Sequence, residues 1–253
     1  MNVIGTWTLY RKEVMRFLKV YNQTLLAPMV TALLYLAIFS LALGRHVSDV
    51  NGIHFGAFMA SGLIAMSAIQ NAFANTSSSV TMGKVLGTIV DYLMPPLSPV
   101  ELIIGLTGAA LTRGVAVGLL TAAATYVFVP FMPEHPFVAL GFLFLSSLLM
   151  GAVGLLAGVV ADTFDQMAAV TSYVVAPLAL LSGTFYPIRN LPPVWYEISH
   201  YNPVFYMIDG LRFGITGHAE TDPVKGAVAL VGISVFLCAV AYVMLRKGYR
   251  LKG

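Results

Sequence analysis

Six separate apolar runs, each close to the length of a membrane-crossing helix, constrain this chain more than any other feature of its sequence. They cover residues 25–43, 55–73, 102–129, 137–161, 167–186 and 227–245. A helix needs about 20 apolar residues to cross the hydrocarbon core of a bilayer. Charged residues make up 10% of the chain, against about 25% in an ordinary soluble domain. The sequence therefore predicts an all-α integral membrane protein, with one transmembrane domain that covers residues 1–253.

Basic residues cluster at both ends of the chain. They are Arg11, Lys12, Arg16 and Lys19 before the first run, and Arg246, Lys247, Arg250 and Lys252 after the last. Lysine and arginine are enriched on the cytoplasmic side of membrane helices, and an even number of spans puts both termini on one side. We therefore expect both termini to be cytoplasmic. The basic residues flank apolar runs and form no basic groove, so no nucleic-acid partner is expected.

Residues 1–20 carry a pattern typical of an amphipathic helix. Apolar residues recur at helical spacing at Val3, Trp7, Tyr10, Val14 and Phe17. The four basic residues of this segment lie between them, which predicts a helix lying on the membrane surface. The alternative is a basic flank without defined structure.

The sequence has no motif for hydrolytic or metal chemistry. Gly83-Lys84 is followed by Val85 and has no glycine in the register of a Walker A sequence, and neither H-E-x-x-H nor G-x-S-x-G occurs. The five histidines match no metal-ligand spacing. We therefore expect no catalytic residue, no metal and no cofactor in this chain, which is predicted not to be an enzyme.

The six runs contain no aspartate or glutamate, and Arg113 is their only charged residue. Ion-coupled transporters usually carry acidic groups at membrane depth, so this absence argues against an ion-coupled secondary transporter. Arg113 either faces a polar pathway or extends toward the membrane surface. Together with Gln70, Asn71 and Asn75 it forms our set of candidate pathway residues.

Residues 76–99 form the first of two segments that do not fit a simple helical bundle. A short helical stripe is formed by Val85, Leu86, Ile89, Val90, Leu93 and Met94, and Pro95, Pro96 and Pro99 end it. About ten residues of helix cannot cross a bilayer. We expect a short amphipathic helix suited to a groove on a partner protein, with Asp91 adding a charged contact. A loop helix at the membrane surface without a partner is the alternative.

Residues 182–212 form the second segment, which combines seven aromatic residues with four prolines. Amphipathic rings favour the boundary between membrane and water. The pattern predicts short helices that enter the outer leaflet or cap the bundle. The alternative is an aromatic belt alone.

These residues resemble the membrane subunits of type-2 ABC exporters, in the branch of polysaccharide, lipo-oligosaccharide and drug exporters. The resemblance covers nearly the whole chain. It is most specific in Leu181-Ser182-Gly183-Thr184-Phe185-Tyr186-Pro187, in Leu191-Pro192-Pro193-Val194-Trp195, and in the stretch 202–212. Asp91-Tyr92-Leu93-Met94-Pro95-Pro96-Leu97-Ser98 is similar to the family's acidic stretch, from which it departs at one acidic position. The stretches 71–75 and 161–165 are also similar to small bacterial permeases.

The resemblance implies a homodimer of permeases in the bacterial inner membrane with two copies of a separate ABC ATPase subunit. Residues 1–20 would be an interface helix and 76–99 a coupling segment. The ATPase would contact Val85, Leu86, Ile89, Val90, Asp91, Leu93 and Met94. Residues 182–212 would be an extracytoplasmic gate of re-entrant helices. Its candidate residues are Gly183, Phe185, Tyr186, Pro187, Trp195, Asn202, Pro203 and Tyr206.

The expected function is therefore a permease subunit of an ATP-driven exporter, with ATP hydrolysis on a separate subunit. Its substrate would be an amphipathic lipid, a glycolipid or polysaccharide, or a drug. An ion-coupled secondary transporter and a membrane scaffold or enzyme without transport stay open as alternatives.

Overall fold

The computed structural model describes residues 2–43, 49–50 and 52–250, which fold as a helical bundle. Lys252 and the side chain of Leu93 lie outside the described part. The helices are α1 Val3–Lys19, α2 Ala27–Leu43, α3 Phe55–Val85, α4 Val90–Leu93, α5 Pro99–Phe128, α6 Pro136–Val160, α7 Phe164–Val170, α8 Ala176–Leu181, α9 Pro193–Tyr201, α10 Pro203–Thr216 and α11 Pro223–Lys247. Strands β1 Asp49–Val50 and β2 Ile53–His54 pair antiparallel, and Ile188–Asn190 forms one 3-10 turn.

Within the described residues, six helical segments are long and apolar enough to cross a bilayer. They are Asn22–Ser40, Phe55–Val85, Pro99–Phe128, Pro136–Val160, Phe164–Leu181 and Pro223–Lys247. The predicted class of an all-α membrane protein with six candidate spans is therefore confirmed. Three of these helices are longer than the apolar pattern predicts: α3 continues past residue 73 to Val85, α5 begins at Pro99, and α11 covers Pro223–Lys247.

The first and fifth spans each contain a π-helical turn just before a proline. Asn22–Leu26 precedes Pro28, and Thr171–Val175 precedes Pro177. Proline lacks the N–H that would bond to the carbonyl four residues earlier, and its ring collides with that carbonyl. A π-helical turn widens the helix at this point. The fifth span is therefore irregular at Pro177, and it ends at Leu181 instead of residue 186.

Helix α3 lies at the centre of the bundle, packed between α5 and α6. Small residues allow this close approach. A Cβ at Gly154 of α6 would collide with the backbone carbonyl of Phe73, and one at Gly114 of α5 would collide with Ser147. Gly114 of the third span and Gly154 of the fourth thus pack against helices of the same chain.

Helix α1 packs against α5 through a face that coincides only partly with its apolar stripe. The buried residues are Thr6, Leu9, Glu13 and Phe17, whereas Val3 and Trp7 are more than half exposed. Leu9 fills the space beside Gly105 of α5. A helix is present here as predicted. Of its apolar stripe, Phe17 is buried, Tyr10 and Val14 are half-buried, and Val3 and Trp7 are directed outward.

Candidate functional site

The 76–99 segment joins α3 to α5 by a tight turn followed by a very short helix. Helix α3 includes Val85, the chain turns at Gly87 with a φ of +72°, and α4 is only Val90–Leu93. A positive φ of this size strongly favours glycine and breaks a regular helix. The predicted ten-residue helix is therefore replaced by a helix end, a turn and one helical turn.

Most of the apolar stripe of this segment is exposed at the end of the bundle. Val85, Leu86, Val90 and Met94 are between 44% and 78% exposed, and Met94 is the most exposed of them. We call these four residues the coupling patch. Asp91 is exposed beside it.

Ile89 differs from its expected position. It packs inward among residues that include Val80 and Leu102, so it does not belong to the exposed surface.

Tyr92 of α4 links this segment to two other helices. Its hydroxyl donates to Glu13 Oε1 of α1 at 2.9 Å and lies 3.1 Å from Ser79 Oγ of α3. The Nζ of Lys12 lies 4.1 Å above the tyrosine ring, which favours a cation. Burial, followed by the Glu13 charge, raises the pKa of Tyr92 to about 12. The phenol is therefore a hydrogen-bond donor throughout the physiological pH range.

Glu13 has no solvent-exposed side-chain surface, and a second group compensates its charge. Arg16 Nε donates to Glu13 Oε2 at 3.0 Å. The same guanidinium donates to the backbone oxygen of Asn75 at 2.7 Å and to Ser78 Oγ at 3.3 Å. Glu13 and Arg16 thus connect α4, through Tyr92, to the C-terminal third of α3.

Lys84 fixes the end of α3 to the end of α6. Its Nζ donates to the backbone oxygens of Val159 and Ala161 and to Asp162 Oδ1, all within 2.9 Å. A cation is favourable at the C-terminal end of a helix, where carbonyl groups lack partners. The hydrogen bond from Lys84 lowers the pKa of Asp162.

Arg212 organises the 182–212 segment at the opposite end of α3. It is 2% exposed. Its Nη2 donates to the backbone oxygen of Gly183 at 2.7 Å and its Nε to Ser61 Oγ at 3.2 Å. The guanidinium lies 3.8 Å above the Phe58 ring. Arg212 therefore holds the turn at Gly183, whose φ is +76°, against the start of α3.

Asn202 holds together the helix ends of this segment. Its Nδ2 donates to Ser182 Oγ at 2.7 Å and to the Leu178 carbonyl at 3.1 Å, and its side chain also accepts from the Val204 amide. The last contact caps α10, which begins at Pro203. Tyr206 donates to the His200 carbonyl at 2.9 Å. Asn202, Pro203 and Tyr206 are therefore brought together as one compact corner.

The other candidate gate residues occupy two different environments. Phe185 stacks on Phe39 of α2 at a centroid distance of 4.8 Å. Pro187 is buried and Tyr186 half-buried, whereas Trp195 is 48% exposed on α9. Phe185 thus ties this segment to α2, and α9 presents an apolar surface outward.

Asp209 of α10 binds the loop that precedes α11. It accepts hydrogen bonds from the backbone amides of Glu220 and Thr221 and from the Thr221 hydroxyl, between 2.7 and 2.9 Å. Glu220 in turn accepts from the amides of Ile188 and Arg189. Burial raises the pKa of Glu220.

Three of the candidate pathway residues, Gln70, Asn71 and Asn75, belong to α3, and the fourth, Arg113, belongs to α5. Asn71 accepts a hydrogen bond from Arg113 Nη2 of α5 at 2.9 Å, and Asn75 contacts Arg16. Gln70 and Asn71 line a groove of about 300 Å³ between α3 and the first span. Three of the four residues are connected by direct contacts or by one helical turn, and Gln70 faces the groove beside them.

The arrangement is that of a membrane bundle with polar networks at both ends of its central helix. A family model described as ABC-2 type transporter matches residues 5–216. The chain belongs to the ABC-2 type transporter family. The resemblance that the motifs suggest is thereby confirmed.

Two curated relatives match this permease over nearly their whole length. The inner membrane transport permease YadH of Escherichia coli (strain K12) is 37% identical over 247 residues, which are 97% of this chain and 96% of the relative. Nodulation protein J of Neorhizobium galegae is 26% identical over 254 residues, which are 97% of this chain and 94% of the relative.

Sequence reasoning misses Glu13 and Arg212, which organise the two ends of this ABC-2 permease. Glu13 is the one acidic residue among the charged residues of 1–20, and an acid in a basic segment is a signal for a buried ion pair. Arg212 lies in the quoted stretch 202–212, but its partner Ser61 is 151 positions away. No local pattern reveals that contact.

Proposed function

We propose that this ABC-2 permease forms, as a homodimer, the translocation path of an ATP-driven exporter and is driven by two separate ATP-binding subunits. The observation that carries the proposal is the coupling patch. Four exposed apolar side chains at a bundle end are costly in water unless a partner covers them. Tyr92, beside this patch, is hydrogen-bonded to both α1 and α3. A movement of an ATPase bound at the patch would therefore be transmitted through Tyr92 to α1 and α3.

The proposed orientation puts both termini and the coupling patch in the cytoplasm of a bacterium and the permease in its inner membrane. Arg16, Lys84 and Arg250 all contribute to the end of the bundle that carries the patch. This accumulation of cations agrees with the positive-inside rule. The relative from Escherichia coli is named an inner membrane permease. Residues 182–212 would then form an extracytoplasmic gate, and 1–20 an interface helix.

A second copy of this chain is proposed because some spans are poorly covered within one chain. In the most apolar part of α3, 83% of the residues are buried, but only 17% are buried in each of the first, fifth and sixth spans. The exposed faces of the first and fifth spans carry Thr31, Tyr35, Thr171 and Ser172. The hydroxyls of Thr31 and Thr171 bond to carbonyls of their own helices, whereas Tyr35 and Ser172 present exposed hydroxyl groups. Such polar side chains bond across helices in membrane bundles, so these faces fit a dimer seam that encloses a polar path.

The substrate proposed for this path is amphipathic: a lipid, a glycolipid or polysaccharide, or a drug. Membership of the ABC-2 transporter family favours transport over a membrane scaffold, and the six spans without acidic residues disfavour ion coupling. The names of the two relatives, Nodulation protein J and YadH, do not specify a substrate for this chain.

The test of coupling removes the apolar surface without touching the network beneath it. In a Leu86→Ser, Met94→Ser variant, we expect the permease to insert and dimerise normally, but to retain much less ATPase when the two are co-expressed and purified. Apolar anchors carry most of the energy of such interfaces. The control is Val224→Ser, which changes an equally exposed apolar residue elsewhere. Equal ATPase recovery from all three proteins would contradict coupling through this patch.

Orientation is tested by single-cysteine labelling in a Cys238→Ala background. Tyr201→Cys, at a position that is 87% exposed, should react with an impermeant reagent in intact cells. Met94→Cys should react only after permeabilisation. The reverse pattern would overturn the orientation.

A further inference from the structure

Arg113 is a buried cation without an acidic partner. It is 8% exposed, and its Nη2 donates to the neutral amide oxygen of Asn71, whereas its Nε is buried with no hydrogen-bond partner. The ion pairs of the described residues join Arg16 to Glu13 and Asp162 to Lys84 and Arg250, and none of them includes Arg113. A guanidinium stays charged at every physiological pH. This charge is therefore uncompensated in the resting protein.

The depth of Arg113 follows from its neighbours. The hydroxyl of Tyr10, on the amphipathic helix α1, lies 2.9 Å from the hydroxyl of Thr112, the residue before Arg113. Asn71 lies one helical turn, about 6 Å, from Asn75, which contacts Arg16 of α1. Arg113 itself is at the midpoint of α5, Pro99–Phe128, which is a candidate membrane span. It therefore lies near the middle of that span, beside Asn71 and the residue that Tyr10 contacts.

The groove beside Asn71 is amphipathic. Its polar lining includes Gln23, Ser67 and Gln70, and its apolar lining includes Pro28 and Leu63. A volume of about 300 Å³ is at the lower end of the range for small-ligand sites. A groove of this kind suits a small polar group with an apolar chain attached. Asn71 lies in its wall, between the open groove and the guanidinium.

We propose that Asn71 and Arg113 form a recognition site for the anionic group, a phosphate or a carboxylate, of an amphiphile that occupies this groove. An anionic oxygen is a stronger acceptor for a guanidinium than the amide oxygen of Asn71, because it adds the attraction of opposite charges and a phosphate or carboxylate can accept two guanidinium N–H groups at once. The ligand's oxygen takes the place of Asn71 Oδ1, and its chain lies along the apolar lining. The inference rests on the proposed function only in taking the groove as part of the substrate path.

The experiment measures binding by the permease alone, in dodecyl maltoside micelles. Dodecyl phosphate is compared with dodecylphosphocholine, whose phosphate is capped by choline, and with inorganic phosphate. Binding is followed by the rise in unfolding temperature and by native mass spectrometry. We expect dodecyl phosphate to bind the wild type, and Arg113→Gln to weaken that binding about tenfold or more. Arg11→Gln, which removes an exposed charge of α1, should bind as the wild type does.

Asn71→Asp keeps the test independent of folding defects. Its carboxylate would stand within hydrogen-bond distance of Arg113 Nη2 and neutralise it internally, so the variant should unfold at a higher temperature and yet lose dodecyl phosphate binding. A purely structural Arg113 would leave binding unchanged. Dodecyl phosphate affinity equal to that of the wild type in both Asn71→Asp and Arg113→Gln would overturn the proposal, as would equally tight binding of inorganic phosphate.

A competition experiment separates the two sources of such an anionic group. If phosphatidylglycerol displaces dodecyl phosphate, the site holds a bilayer lipid; if it does not, the site holds cargo. Either result supports anion recognition. None of these measurements uses an ATPase, so failure of an ATPase to co-purify would refute the proposed function and leave this site standing.

Discussion

The contact between Tyr92 and Glu13 can be tested as the link between α4 and α1. Tyr92→Phe removes only the hydroxyl that donates to Glu13 Oε1 at 2.9 Å and lies 3.1 Å from Ser79 Oγ. The ring, its packing beside Val80, and the contact with Lys12 all remain. Glu13→Gln keeps the shape of its side chain but removes the charge that binds both Tyr92 and Arg16. The two changes together complete a double-mutant cycle.

The expected size of the effect follows from burial and charge. A hydrogen bond to a charged group contributes about 1.5 to 3 kcal/mol. Glu13 is fully buried, so Tyr92→Phe leaves a carboxylate oxygen that water cannot reach. We expect a loss of about 2 kcal/mol for Tyr92→Phe and at least as much for Glu13→Gln, which also breaks the pair with Arg16. Because both changes remove one shared contact, the double variant should lose about 1 to 2 kcal/mol less than the sum.

The assay is unfolding in mixed micelles of dodecyl maltoside and sodium dodecyl sulfate, followed by the circular dichroism of the helices. Tyr201→Phe is the matched control, because that ring is 87% exposed and should change stability very little. Additivity within about 0.5 kcal/mol would refute the reasoning, since independent sites behave in that way. It would mean that α4 is held to α1 by packing alone.

Three further predictions concern the rest of the bundle. Arg212→Met leaves the Gly183 carbonyl and Ser61 without their donor, and it should lower the unfolding temperature and increase proteolysis of 182–212 in detergent. Unchanged proteolysis would show that Arg212 does not hold this segment in place. Gly154→Ala should destabilise the protein by about 1 to 3 kcal/mol, because its Cβ collides with the Phe73 carbonyl; an equal denaturant midpoint would contradict this packing. Lys84 lowers the pKa of Asp162, so Asp162 contributes to the free energy of unfolding above its ordinary pKa of 3.8, and this contribution is lost as the pH falls through the lower folded pKa. Acid should therefore destabilise the wild type more than Asp162→Asn. Unfolding of both proteins at neutral and acidic pH measures this difference.

The positions of the spans could be predicted from the sequence because apolar length is a local property. Their full lengths could not. Helix α3 continues beyond its apolar run through Asn75 and Ser79, and these residues are tolerated there because α1 and α4 supply partners. The stretch 55–73 alone contains no information about those partners. Each π-helical turn precedes one proline, Pro28 or Pro177. A sequence shows where a proline disturbs a helix, but it does not show which backbone geometry results.

The candidate site was predictable in its segments but less so in its residues. The stripe of 76–99 predicts Leu86 and Met94 as exposed apolar residues, but it also includes Ile89, which packs inward because Gly87 turns the chain before it. A helical pattern assumes that the helix is continuous. Asn71 and Arg113 both belong to the predicted pathway set. Their contact could not be predicted from the sequence, because 42 positions separate them.

Helix α3 is the element that relates the two ends of this permease. Ser61 and Ser79 are separated by about 27 Å along it, and each contacts a polar network at its own end. Between them α6 approaches α3 through Gly154 and Gly158, where backbone and side-chain atoms leave no room for a Cβ. Packed interiors of this density do not slide gradually. We therefore expect α3 and α6 to move as one rigid body. We expect the first and fifth spans to move relative to it, because they are mostly unburied and, unlike the equally unburied α11, contain π-helical turns. A permease must have such a division if a movement at one face is to open a path at the other, because a displacement is transmitted only through parts that do not deform.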